Sequence, residues 1–187
     1  MMEKATLLRA GLALVFKALL FLSCTNTSDK ANVEKQNKDK FSSRDDRKEA
    51  QFLVDAVDKS YALLEVAQLG EEKIEDPVDK GKAKIIVEQQ SRVAMRLKTF
   101  AEEYDVSIPL SGPENTKRRV ENLYDKNGDE FKESWVRQMS KLNSDLRSDL
   151  EKYHENASEP LKIMLDSTTE LMSKSQQLIT ELESKYQ

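Results

Sequence analysis

One run constrains the fold more than any other part of the chain. From Phe131 the large apolar residues recur as Trp135, Met139, Leu142, Leu146, Leu150 and Tyr153, in steps of four, four, three, four, four and three. Those steps keep every side chain on one face of an α-helix, which turns once in about 3.6 residues. A strand alternates every second residue and would put many of them in water. A seam of this length has to be covered, and other helices are the natural cover.

The rest of the chain supplies them. Residues 47–74 carry Phe52, Ala56, Leu63, Ala67 and Ile74 near one face. Asp76 and Pro77 then mark a stop and a new start: Asp is a good N-cap, and Pro suits the first helical position. The second helix runs to Tyr104 with Ile86, Val93, Leu97, Phe100 and Tyr104 as its stripe. Ile108-Pro109 and Gly112-Pro113 resist helix, a short helix spans 114–124, and Asn127-Gly128 stops it. A fourth long helix begins near Ser158 and carries Leu161, Leu165, Thr168, Met172, Ser175, Ile179, Leu182 and Tyr186. Only five glycines and four prolines occur in 187 residues, and no strand-like run appears. The expectation is an all-α, antiparallel four-helix bundle over residues 47–187, with a short extra helix between helices two and three. Helices of that length measure about 40 Å.

The N-terminus follows a different logic. Lys4 and Arg9 precede an apolar stretch from Gly11 to Ser23, broken only by Lys17, and Cys24 follows. This is the order of a secretory signal, and the stretch is short for a membrane-spanning helix. Leu20-Phe21-Leu22-Ser23-Cys24 resembles the lipobox of bacterial lipoproteins, with Phe21, Leu22 and Lys17 departing from the usual pattern. The resemblance implies a signal peptide over 1–23 and lipidation of Cys24, the one cysteine of the chain. Several acyl chains on one residue anchor a protein stably to a membrane. Thr25 in place of Asp leans toward an outer-membrane anchor facing the periplasm. Residues 24–46 are polar apart from Val33 and Phe41 and are expected to form a flexible tether.

The body resembles the bacterial domain of unknown function 4142. The residues that carry the likeness begin with Leu64-Glu65-Val66-Ala67-Gln68-Leu69-Gly70 and Glu75-Asp76-Pro77. Leu97-Lys98-Thr99-Phe100-Ala101, Val106-Ser107-Ile108-Pro109 and Gly128-Asp129-Glu130-Phe131 through Trp135 complete it. The resemblance implies a ferritin-like bundle, secreted or lipid-anchored, with no established enzyme activity. It also implies histidines at three places, where this chain has Gln89-Gln90, Leu142-Asn143 and Ser175. Glu65 remains. Glu65, Gln90, Asn143 and Ser175 fall near the middles of the four helices, and a shared core polar layer is expected of them.

Most chemistries lack their parts. A di-iron bundle needs Glu-x-x-His on two helices, and the one match is Glu151-Lys152-Tyr153-His154, which holds the only histidine. Asp125-Lys126-Asn127-Gly128-Asp129 suggests a calcium loop, but Glu130 and Val136 stand where Gly and Glu are required. No base–nucleophile pair, glycine-rich phosphate loop or haem ligand is evident. The net charge is -4, and Lys117-Arg118-Arg119 is too short for a nucleic-acid footprint. The expectation is a non-enzymatic, envelope-bound binding or stress-related module, with no catalytic residue, metal or cofactor, no nucleic acid, and a protein or small-molecule partner left open. The alternatives are a metal or redox protein with an atypical site, and a docking partner in an envelope assembly.

Overall fold

The computed structural model describes residues 30–186. The expected signal over 1–23, Cys24 and the start of the tether lie outside them. Six helices follow in order: α1 (Lys30–Lys40), α2 (Arg44–Lys73), α3 (Pro77–Glu103), α4 (Glu114–Tyr124), α5 (Gly128–His154) and α6 (Glu159–Tyr186), with no strand among the described residues. No described helix is long and apolar enough to cross a membrane.

Local chemistry explains the boundaries. The Ser43 hydroxyl accepts from the Asp46 amide at 3.0 Å and starts α2. Asp76 accepts from the amides of Val78 and Asp79 at 3.1 and 3.0 Å, and Pro77 opens α3. The end of α3 is a Schellman turn: Asp105 has φ 54°, its amide donates to Glu102 O, and the Val106 amide donates to Ala101 O at 2.8 Å.

The four long helices pack in a ring. α2 lies against α3 and α5, and α6 lies against the same two, so that α2 faces α6 and α3 faces α5 across the ring. Cross-links give the directions. Trp135 of α5 donates to Val66 of α2, and Lys59 pairs with Asp149, so the two helices run oppositely. Asp79 at the start of α3 holds Lys185 and Tyr186 at the end of α6, so those two are also antiparallel. α2–α3 and α5–α6 are hairpins with short links. The connection from α3 to α5 therefore travels the length of the ring, and it carries α4 across α2 and α5.

The seam of α5 lies at the centre. Phe131, Trp135, Met139, Leu146 and Leu150 are buried, while Leu142 and Tyr153 are partly covered. Tyr153 stacks on Phe52 with ring centroids 3.8 Å apart. The Trp135 indole donates to Val66 O at 2.7 Å, and the ring lies where a Cβ on Gly70 would be. Tyr104 departs from its expected stripe: it is 42% exposed and stacks on Phe100 from outside.

The flexible tether is corrected over 30–46. This stretch forms α1 and the start of α2, and both of its large apolar residues are used: Val33 is buried and Phe41 packs on the core. Polar groups do the rest. Asn37 both donates to Ser107 O and accepts from the Ser107 amide, each at 2.8 Å. Lys40 reaches Asp105 at 2.9 Å, and Lys30 reaches Asp55 at 2.5 Å. Few apolar residues suffice when the strap is held by bonds to a loop that composition cannot foresee.

Two outcomes follow. Trp135→Ala should cost about 3–5 kcal/mol and Gly70→Ala about 1–3 kcal/mol in urea unfolding, the first by a cavity and the second by overpacking. Burial raises the Asp79 carboxyl, but the bonds from Lys185 and Tyr186 outweigh it and hold it below its ordinary value. A depressed carboxyl stabilises the fold above its unfolded pKa and loses that contribution as pH falls through its folded one. The stability gap between wild type and Asp79→Asn should therefore be full at neutral pH. It should close below about pH 4, near the unfolded aspartate value.

Candidate functional site

Mid-bundle, three amides form a chain. Gln90 Nε2 of α3 donates to Asn143 Oδ1 of α5 at 3.1 Å. Asn143 Nδ2 donates onward to Gln176 Oε1 at 2.9 Å and to Met172 O at 3.2 Å on α6. Ser175 Oγ donates to Gln89 Oε1 at 2.7 Å and lies 3.3 Å from Leu171 O. Gln90, Asn143 and Ser175 are wholly buried. Buried amides need partners, and these mostly find them in one another. Gln90 Oε1 alone has none among the described residues.

The expected four-residue layer needs correction. Gln90 and Asn143 meet directly, while Ser175 makes a separate α6–α3 bond to Gln89 beside them. Glu65 is elsewhere: it is half-buried beneath the crossover and lines a depression with Lys117 and Tyr124 of α4. A Cβ on Gly112 would come within 2.9 Å of Glu65 Oε1. Burial pushes its carboxyl up, and a hydrogen bond from the Gly112 backbone and the nearby Lys117 oppose that. The reason is register. Trp135 pairs with Val66, so Ala62, about one turn earlier, lines the same cleft as Leu142. A carboxylate also costs far more to bury than an amide does, and α4 leaves Glu65 a wetter place.

Sequence reasoning missed Gln176 and the role of Gln89, although paired amides in the middle of a helix were a usable signal. His154, the single imidazole, ends α5 with Nε2 3.0 Å from Asp166 Oδ1. No cluster of three or more His, Cys, Asp or Glu suited to a metal occurs among the described residues.

A cleft of about 370 Å³ opens beneath α4, between α2 and α5. Its walls carry Asp58, Thr116, Arg119, Asp145 and Lys152, together with the Lys59–Asp149 ion pair. Of the basic triplet, Lys117 pairs with Glu114 and Arg118 is exposed, while Arg119 turns half-buried into this wall. Apart from Arg119 in that triplet, the acidic and hydroxyl positions of this cleft did not stand out in the sequence, because they come from three helices.

A family model described as Domain of unknown function (DUF4142) matches residues 32–182. No curated protein and no solved structure matches the chain.

Asn143 is the hub of the layer, so Asn143→Ala should cost about 1–3 kcal/mol by stranding the buried Gln90 amide. Ser175→Ala should cost about 0.5–1.5 kcal/mol, since half-buried Gln89 can turn to water. Chemical denaturation of the two variants checks the order.

Proposed function

The chain belongs to the DUF4142 family, and we propose that it is a lipid-anchored, non-catalytic binding module of the bacterial cell envelope. Its body is a ferritin-like four-helix bundle that keeps an amide layer where relatives would carry histidines. Two antiparallel hairpins joined by one lengthwise crossover support the ferritin-like assignment, since that connection distinguishes such folds from simple up-and-down bundles. The observation that carries the reading is the bonded chain Gln90–Asn143–Gln176. Neutral imidazole and carboxylate bind divalent metals strongly, and amide and hydroxyl oxygens bind them weakly. Here the amides largely engage each other, and Glu65 stands outside the layer.

Cys24 is the anchor, at the end of the apolar stretch closing with Leu22 and Ser23. Two or more acyl chains hold a protein on a bilayer, with Thr25 favouring the outer membrane. The docked α1 then sets the body close to that surface, with only residues 25–29 between anchor and helix.

Two measurements test the reading. A fatty-acid probe should label wild-type cells and spare Cys24→Ala, which should also leave the membrane fraction; equal labelling overturns the anchor. Calorimetry of the full chain in detergent with zinc, iron(II) and copper(II) should show no submicromolar binding. Tight binding that disappears in Glu65→Gln overturns the non-metal reading.

A further inference from the structure

The cleft beneath α4 differs from the bundle interior in leaving its polar groups unspent. α4 is an 11-residue helix whose N-cap, Pro113, provides no side-chain hydrogen bond. The Thr116 amide turns back to Pro113 O at 2.8 Å, no side chain caps the amides of Glu114 and Asn115, and this end carries the positive pole of the helix dipole. Pro113, Asn115 and Thr116 of that end line the cleft. Thr116 is wholly buried, and its Oγ1 has no hydrogen-bond partner among the described residues. Such a hydroxyl is costly unless something occupies its bonding direction. Arg119, one turn on, and Lys152, across on α5, line the same space and have no hydrogen bond or ion pair among the described residues. A helix N-terminus, a hydroxyl and two unpaired cations are the means by which proteins hold oxyanions.

The other walls are acidic. Asp58 is buried, burial pushes its carboxyl up, and its nearest cation, Lys30, stands 3.7 Å away. Asp145 is exposed and has no partner among the described residues. Asp149 is held by Lys59. Lys59, Arg119 and Lys152 thus face Asp58, Asp145 and Asp149, three charges of each sign around one cleft. A bare anion would be attracted by one wall and repelled by the other. A molecule carrying both charges meets its complement on each side.

We propose that this cleft binds a small zwitterion. Its oxyanion group sits against the N-terminus of α4, Thr116, Arg119 and Lys152, and its primary ammonium sits against Asp58 and Asp145. This names the ligand class of the binding module proposed above and rests on that reading. A phosphoethanolamine group has this chemistry, whether free or as the headgroup of a lipid.

The test is calorimetry on the full chain in detergent. O-phosphoethanolamine should bind saturably, and inorganic phosphate and ethanolamine should each bind at least tenfold more weakly. Arg119→Ala should weaken phosphoethanolamine at least tenfold. Asp145→Asn should weaken phosphoethanolamine and leave phosphate unchanged, with helical content checked in both variants. Dihexanoyl phosphatidylethanolamine distinguishes the sources: tighter binding of the lipid assigns the zwitterion to the membrane, and equal affinity assigns it to a free compound. Phosphate binding as tightly as phosphoethanolamine, no binding of either, or an unaffected Arg119→Ala overturns the proposal. Any of those results leaves the anchor and the amide layer to stand or fall on fatty-acid labelling and metal titration.

Discussion

The bond from the Trp135 indole to the Val66 carbonyl sets the frame for everything around it. The carbonyl has a second lone pair free beyond its helical bond, and the indole takes it. That approach requires a gap on α2 one turn further along, and Gly70 provides it. Glycine inside a helix costs about 0.5–1 kcal/mol, which burying a whole indole more than offsets. The bond also fixes one level of α2 against one level of α5. With that register set, Lys59 meets Asp149, Ala62 and Leu142 line one cleft, and Glu65 falls outside the amide layer.

The ring is held at both ends by polar contacts that are local in space and distant in sequence. At one end, Asp79 joins the start of α3 to the end of α6 through Lys185 and Tyr186. At the other, Asn37 and Lys40 of α1 grip the turn that closes α3 at Asp105 and Ser107. Asp105 adopts a left-handed backbone there, which aspartate tolerates better than most residues do. The strap and the turn support each other: the turn offers a backbone donor and acceptor, and Asn37 has one of each to match.

Polar groups are treated oppositely in the two interior regions. Within the bundle, amides from α3, α5 and α6 satisfy one another, which suits a low-dielectric core. Under α4, a buried hydroxyl and three charged side chains go without partners among the described residues. The first arrangement stabilises a fold. The second has more to gain from a ligand, because the buried Thr116 hydroxyl has already left bulk water without a bond and charged groups of both signs stand at the same opening.

Sequence alone determined the helices of the body, α2 to α6. Their apolar spacing, the Asp76-Pro77 start and the Asn127-Gly128 stop are local signals, and helix formation depends first on local geometry and capping. The membership carried by Leu64–Gly70 and Gly128–Trp135 was legible for the same reason. What tertiary structure decided was placement: α1 docked where a tether was expected, Glu65 parted from Gln90 and Asn143, and Arg119 separated from Lys117 and Arg118. Val33, with one apolar neighbour in its segment, gave no periodic signal; it is buried because the α2 surface was there to receive it. The cleft depends on three helices brought together by a crossover. Register between helices comes from side chains far apart in the chain, such as Trp135 and Gly70, and no window of sequence contains both sides of that contact.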